Sequence, residues 1–166
     1  MLEITHVIVG AAIGSWATNI GFAFLFGWLS HHILDMIPHF DRGSFFIKSR
    51  LPRYLGGPGE QLPEGHLLKK EWVLIGSDLT LVFGFLIFPF VAGPWPGFWF
   101  MFAGAVGATL PDFIAAWLFW FPKLRKISLL NNYGRLHSYL HWTLPMNKWW
   151  LGVVIQVAVI LGVILI

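Results

Sequence analysis

The chain has 166 residues, of which 57% are hydrophobic and 11% charged, with sixteen Phe, ten Trp and no Cys. A soluble domain carries about 25% charged residues, so a disordered chain, a coiled coil and a disulfide-stapled secreted module are all excluded. What remains is an all-α membrane helix bundle forming a single domain over 1–166, in which any metal must be held by His, Asp, Glu or backbone oxygen.

In chain order, the apolar segments are 4–16, 20–37, 71–92, 97–121 and 149–166. Ala17-Thr18-Asn19 makes a polar pause between the first two, and Gly93-Pro94-Trp95-Pro96 breaks the chain between the third and fourth. A span needs about 20 residues, so the last three qualify. The first is too short to cross unless it forms a hairpin with the second. All eleven Lys and Arg fall in two windows, from Arg42 to Lys70 and from Lys123 to Lys148. The positive-inside rule places both basic loops, at about 42–70 and 122–148, in the cytoplasm and the C-terminus outside. The protein is therefore expected in the inner (cytoplasmic) membrane as a multi-pass protein. Trp95, Trp99, Trp117, Trp120, Trp149 and Trp150 read as interfacial belts, and Gly104 and Gly107 as sites of close helix packing.

Ionisable residues inside apolar segments are costly and face a bundle interior or a wet cavity. Here they are His6, His31, His32, Asp35, His39, Asp41, Asp78, Asp112, His137 and His141. Five separate pieces of chain deliver them to the cytoplasmic side of the apolar layer. His31 and Asp35 are four apart and share a helix face. His39 is four further on, with Pro38 placed to end or kink the helix before it. His137 and His141 repeat the spacing, which lets one helix offer two imidazoles to one ion. A mixed His/Asp set suits a divalent ion, zinc first and manganese or iron next, with one or two per chain. Some members also have ordinary explanations. Asp112 follows Pro111 and would cap a helix restarting at 113, Asp78 would hydrogen-bond within the bundle, and Asp41 beside Arg42 would be a solvated loop acid. His6 would be an interfacial residue, and His32 a mere neighbour of His31.

Three stretches resemble the YdjM-like (LexA-regulated) membrane-bound metal-dependent hydrolases, with a fainter likeness to zinc-dependent phospholipase C. Thr5-His6 with Gly10-Ala11 is similar to the family's N-terminal segment. Gly27-Trp28-Leu29-Ser30-His31 with Asp35 is similar to its Gly-Tyr-x-Ser-His-x-x-x-Asp helix, and Gly107 to Asp112 to its Gly-x-x-x-Pro-Asp segment. His137-Ser138 weakly resembles its Thr-His-Ser. The order of the motifs differs, since the Ser-His helix comes second here rather than last. Phe113-Ile114-Ala115 stand where the family has x-Asp-His, and Pro38-His39-Phe40-Asp41 is the local substitute for those ligands.

The resemblance implies a hydrolase. On the residues alone, His6, His31, Asp35, His39, Asp41, Asp112 and His137 form the metal-ligand set, and Asp78 and His141 are the acid–base candidates. Arg135 and Arg42 are the candidate clamps for an anionic head group, and the expected partner is a membrane lipid or lipid-linked phosphoester. No P-loop, serine-nucleophile motif or nucleic-acid signature is present. The alternatives are a metal-stapled assembly protein without catalysis, a metal or proton carrier, and an intramembrane aspartyl protease using Asp78 and Asp112. The sequence does not address the oligomeric state.

Overall fold

The computed structural model describes residues 1–41, 69–93 and 95–165. Among them are six α-helices: α1 (Glu3–Ser15), α2 (Ile20–Asp35), α3 (Lys69–Ala92), α4 (Phe98–Trp120), α5 (Ser128–Leu140) and α6 (Trp149–Ile164). The all-α bundle and the placing of the apolar segments agree with the sequence. The element count differs, because the second basic window holds α5. The first basic loop, with Arg42, Arg50, Arg53 and His66, lies outside the described residues.

Among the described residues, three helices are long and apolar enough to cross a membrane: Lys69–Phe88, Phe98–Leu118 and Met146–Ile164. This is a membrane protein, and Phe83, Phe88, Val91 and Leu161 on α3 and α6 lie exposed where lipid would cover them. The shorter α1 and α2 form a hairpin. The Asn19 side chain accepts from Phe22 N at 2.8 Å, a cap that starts α2 directly after the turn. Pro38 bars the chain from continuing as a helix, and α2 ends at Asp35 with Met36 as its C-cap. The α3–α4 turn uses Gly93 and Gly97 at φ 92° and 81°, a region that residues with a Cβ avoid.

The centre of the bundle is α1, α2 and α4. Gly10 and Gly14 of α1 and Gly27 of α2 face the backbone of α4 around Gly104, while Gly107 faces the backbone of Phe24. A methyl group at any of these positions would collide with backbone rather than with a movable side chain. Close packing through small residues is the main attraction left between helices once lipid replaces water. Val7, Ala11, Val82 and Ala105 extend this contact to α3, and Met1, Val9 and Leu34 extend it to Val159 and Val163 of α6.

The chain after α2 pairs with the chain after α5. Trp142 N donates to Asp35 O at 2.8 Å, His39 N to Trp142 O at 3.2 Å and Leu144 N to His39 O at 2.7 Å. This short parallel contact, between His39 and Thr143, sets His39 and Asp41 beside His141. On its far side Gly152 of α6 admits the backbone of Phe40.

Candidate metal centre

Among the described residues, two groups of side chains could each hold a metal ion. His31, Asp35, Asp112 and His137 form one, and Asp35, His39 and His141 the other; within each group the donor atoms all lie within 4.8 Å of one another. Asp35 belongs to both. It is fully buried at the end of α2, and its two oxygens face different sets of imidazoles. Oδ2 lies 3.0 Å from His31 Nε2, 3.5 Å from His137 Nε2 and 3.6 Å from His141 Nε2. Oδ1 lies 3.2 Å from His6 Nε2, 3.8 Å from His39 Nε2 and 2.7 Å from the Met1 amino group.

The first group has the shape of a coordination shell. His31 Nε2 and His137 Nε2 are 3.2 Å apart. Asp112 Oδ1 lies 3.1 Å from the His137 nitrogen and 3.7 Å from the His31 nitrogen. Donors on a tetrahedral zinc ion at its usual bond lengths stand about 3.3–3.4 Å from one another, and these separations bracket that value. Beside the second group Asp41 Oδ2 lies 3.2 Å from His39 Nε2 and 3.1 Å from His141 Nε2.

The hydrogen bonds prepare the imidazoles as ligands. His31 Nδ1 lies 2.7 Å from the Ala108 carbonyl and His39 Nδ1 lies 2.7 Å from the Ile37 carbonyl. A carbonyl only accepts, so each Nδ1 carries the proton and each Nε2 points a lone pair inward, as in metal-bound histidines. Unsatisfied atoms mark the same spot. Asp35 Oδ2 and both nitrogens of His6 are buried without a hydrogen-bond partner, an expensive condition for polar atoms that a cation would relieve.

The electrostatics of the segments outside the spans agree. Burial works against a proton on His137, yet its contacts with Asp112 and Asp35 push its pKa up to about 9. Burial also opposes charge on Asp41, but His141 and His39 hold its carboxyl well below the usual carboxylate range. For His39, burial and then the Met1 amino group lower the pKa, outweighing Asp41. The carboxylates are thus charged and already face cations, the Met1 amino group on Asp35 and His137 on Asp112, which a metal ion would have to displace.

Of the expected ligands, His6, His31, Asp35, His39, Asp41, Asp112 and His137 all meet here, joined by His141. Asp112 sits inside α4, which runs on through Pro111; it does not cap a restarting helix. His32 joins neither group, as expected of a neighbour of His31; its Nε2 lies 3.3 Å from the Tyr133 hydroxyl.

Two expected residues lie elsewhere. Asp78 accepts from Glu3 N at 2.6 Å and Ile4 N at 3.0 Å, so both its oxygens cap the start of α1, as its ordinary explanation had it. Arg135 is exposed on α5, two residues before His137 and so roughly 200° around the helix from it. It points away from the pocket, and α-helical geometry is the reason. Arg42 lies outside the described residues.

Two residues went unnoticed in the sequence. Glu3, on α1, is buried, with its Oε1 left without a hydrogen-bond partner. Gln156, buried in α6, accepts from Leu2 N at 2.8 Å and donates to Phe40 O at 2.7 Å, which ties both sides of the pocket to the last span. As the polar residue of an otherwise apolar span, Gln156 carried the same signal as the aspartates.

Comparison with protein-family models, curated proteins and solved structures finds no match for this chain. The functional reading therefore rests on the geometry of the centre.

Proposed function

We propose that this protein is an integral-membrane metal-dependent hydrolase. It holds two divalent ions, zinc foremost, and acts on the phosphoester of a lipid or lipid-linked substrate at the cytoplasmic face of the inner membrane. The observation that carries this reading is Asp35, one carboxylate shared by two groups of inward-pointing imidazoles. His31, Asp112 and His137 complete one group, and His39 and His141 the other, with Asp41 beside them. Divalent ions there would polarise a phosphoryl oxygen and lower the pKa of bound water toward about 7.

The residues around the centre fit such a task. His6, His31, His39 and Asp35 are closed off from solvent, whereas the Asp112 side chain is 29% and the His141 side chain 18% exposed. That side is the mouth, and His141, expected as the acid–base group, stands there among the donors of the second group. The resemblance to the YdjM-like hydrolases points the same way, with His39 and Asp41 in place of the ligands its usual motif would bring. A metal or proton carrier would need a polar path toward the other face. Instead Val7, Ala11, Val82 and Ala105 close the bundle beyond the centre. The deep burial of most donors favours a second reading, a metal staple without catalysis.

The test is hydrolysis by the purified protein in bilayers containing phosphatidic acid, phosphatidylglycerol or a polyprenyl phosphate. Release of phosphate or head group that stops with chelator and returns with zinc supports the hydrolase. Tight metal binding with no hydrolysis of any of these substrates makes the centre a staple.

A further inference from the structure

Helix α5 presents three different faces. Leu130, Tyr133, Gly134 and His137 turn toward the bundle, where His137 enters the pocket and Gly134 backs onto the Leu118 side chain. Ser128, Asn131, Arg135 and Ser138 make a polar arc on the opposite side. Between these faces Leu129 and Leu136, one heptad apart, form an apolar ridge that is 78% and 50% exposed, with the exposed Asn132 between it and Tyr139. At 13 residues the helix is too short to cross a bilayer. Three segregated faces are what a helix needs when protein, hydrocarbon and water each touch one side of it.

The surroundings identify which apolar medium covers the ridge. The turn Pro122–Lys126 leads into α5 and carries Lys123, Arg125 and Lys126, and Arg125 Nε anchors it by donating to Leu118 O at 3.0 Å. Exposed tryptophans stand at the adjoining helix ends: Trp72 on α3, Trp117 and Trp120 on α4, and Trp149 and Trp150 on α6. Trp72 and Trp120 are in ring contact at 5.7 Å. Tryptophans gathered at helix ends mark the head-group level of a bilayer, and α5 connects two of these ends.

We propose that α5 lies in the membrane plane and docks on the anionic phospholipid surface of the leaflet at which the metal centre opens. Leu129 and Leu136 sink below the head groups, and Lys123 and Lys126 of the preceding turn meet the phosphates. This placement stands without the metal. Resting on the proposed function is one consequence: His137, on the same helix, sets the mouth of the centre at the depth of the lipid phosphates, so a lipid substrate arrives sideways from its own leaflet.

The absence of cysteine allows single labels without background. Leu129→Cys, Leu136→Cys, Asn131→Cys and Ser138→Cys, each spin-labelled in phosphatidylcholine–phosphatidylglycerol nanodiscs, report accessibility to oxygen and to a nickel chelate. The ratio of oxygen to nickel collisions is expected to exceed unity at 129 and 136 and to fall below it at 131 and 138. Exchanging phosphatidylglycerol for phosphatidylcholine should make the ridge shallower, and Lys123→Ala with Lys126→Ala should do the same in the anionic disc. Nickel access at all four positions would overturn the proposal, since the ridge would then face water. Shielding of 129 and 136 from both reagents would also overturn it, by showing that protein covers the ridge. Metal content, measured on the same samples, reports separately on the proposed function.

Discussion

The central helices and the outer ones are held by different physics. In α1, α2 and α4, Gly10, Gly14, Gly27, Gly104 and Gly107 bring backbone against backbone. In the outer helices Gly76, Gly84 and Gly162 have no neighbour within 4 Å of where a Cβ would stand. The contrast extends along whole spans, for 44% of the α4 window is buried inside the protein against 11% for α3 and for α6. Yet each outer helix sends one polar side chain to the level of the pocket: Asp78 caps α1, and Gln156 binds Leu2 and Phe40. Backbone contact holds the centre together, while α3 and α6 are fastened to it by a few apolar side chains, by Gly152 and by these hydrogen-bonding residues.

The sharpest break in this comparison comes from glycine substitution. Gly104→Val should abolish the folded protein, because the side chain would meet the backbone of Gly10 and Gly14. Gly84→Ala should be neutral or stabilising by up to about 1 kcal/mol, the gain in helix propensity. Thermal unfolding in detergent measures both, and equal shifts would mean that the two regions do not differ.

A smaller effect is expected where the regions touch. Asp78→Asn keeps one acceptor oxygen in place of a two-oxygen cap and should cost about 1 kcal/mol, with metal content unchanged. Loss of metal from this variant would return Asp78 to the centre.

The smallest effect is a pH dependence that distinguishes a proton from a metal. His137 is raised from 6.5 to about 9 by Asp112 and Asp35 despite burial. In metal-free protein its stabilising contribution is therefore complete below pH 6.5 and is lost as pH rises through about 9. Zinc must displace that proton, so zinc affinity should rise across the same window. Melting curves with and without zinc should diverge as pH increases, and parallel curves would exclude His137 as a ligand.

Much of this architecture was legible in the sequence, and the parts that were not share a cause. Helix ends at Asn19, Pro38 and Gly93 follow from local chemistry, so the apolar segments match the helices within one or two residues. The convergence of His6, His31, Asp35, Asp112 and His137 was legible because an ionisable group in an apolar segment needs a polar neighbour. Roles within that set were less so. Asp78 and Asp112 look alike along the chain, and only packing shows that one meets backbone N–H groups and the other imidazoles. Arg135 beside His137 in sequence suggested a shared site, which the turn of α5 forbids. That helix was missed because its apolar residues are few and interleaved with Ser, Asn and Arg, a pattern that reads as a loop until its three faces are seen.

The account stands on Asp35 as the carboxylate common to two metal positions. Native mass spectrometry with elemental analysis of the purified protein and of Asp35→Asn, His137→Ala and His39→Ala tests it most directly. Two divalent ions are expected in the parent chain, one in each histidine variant and none in Asp35→Asn. A parent chain without metal, or Asp35→Asn retaining the full complement, would contradict it.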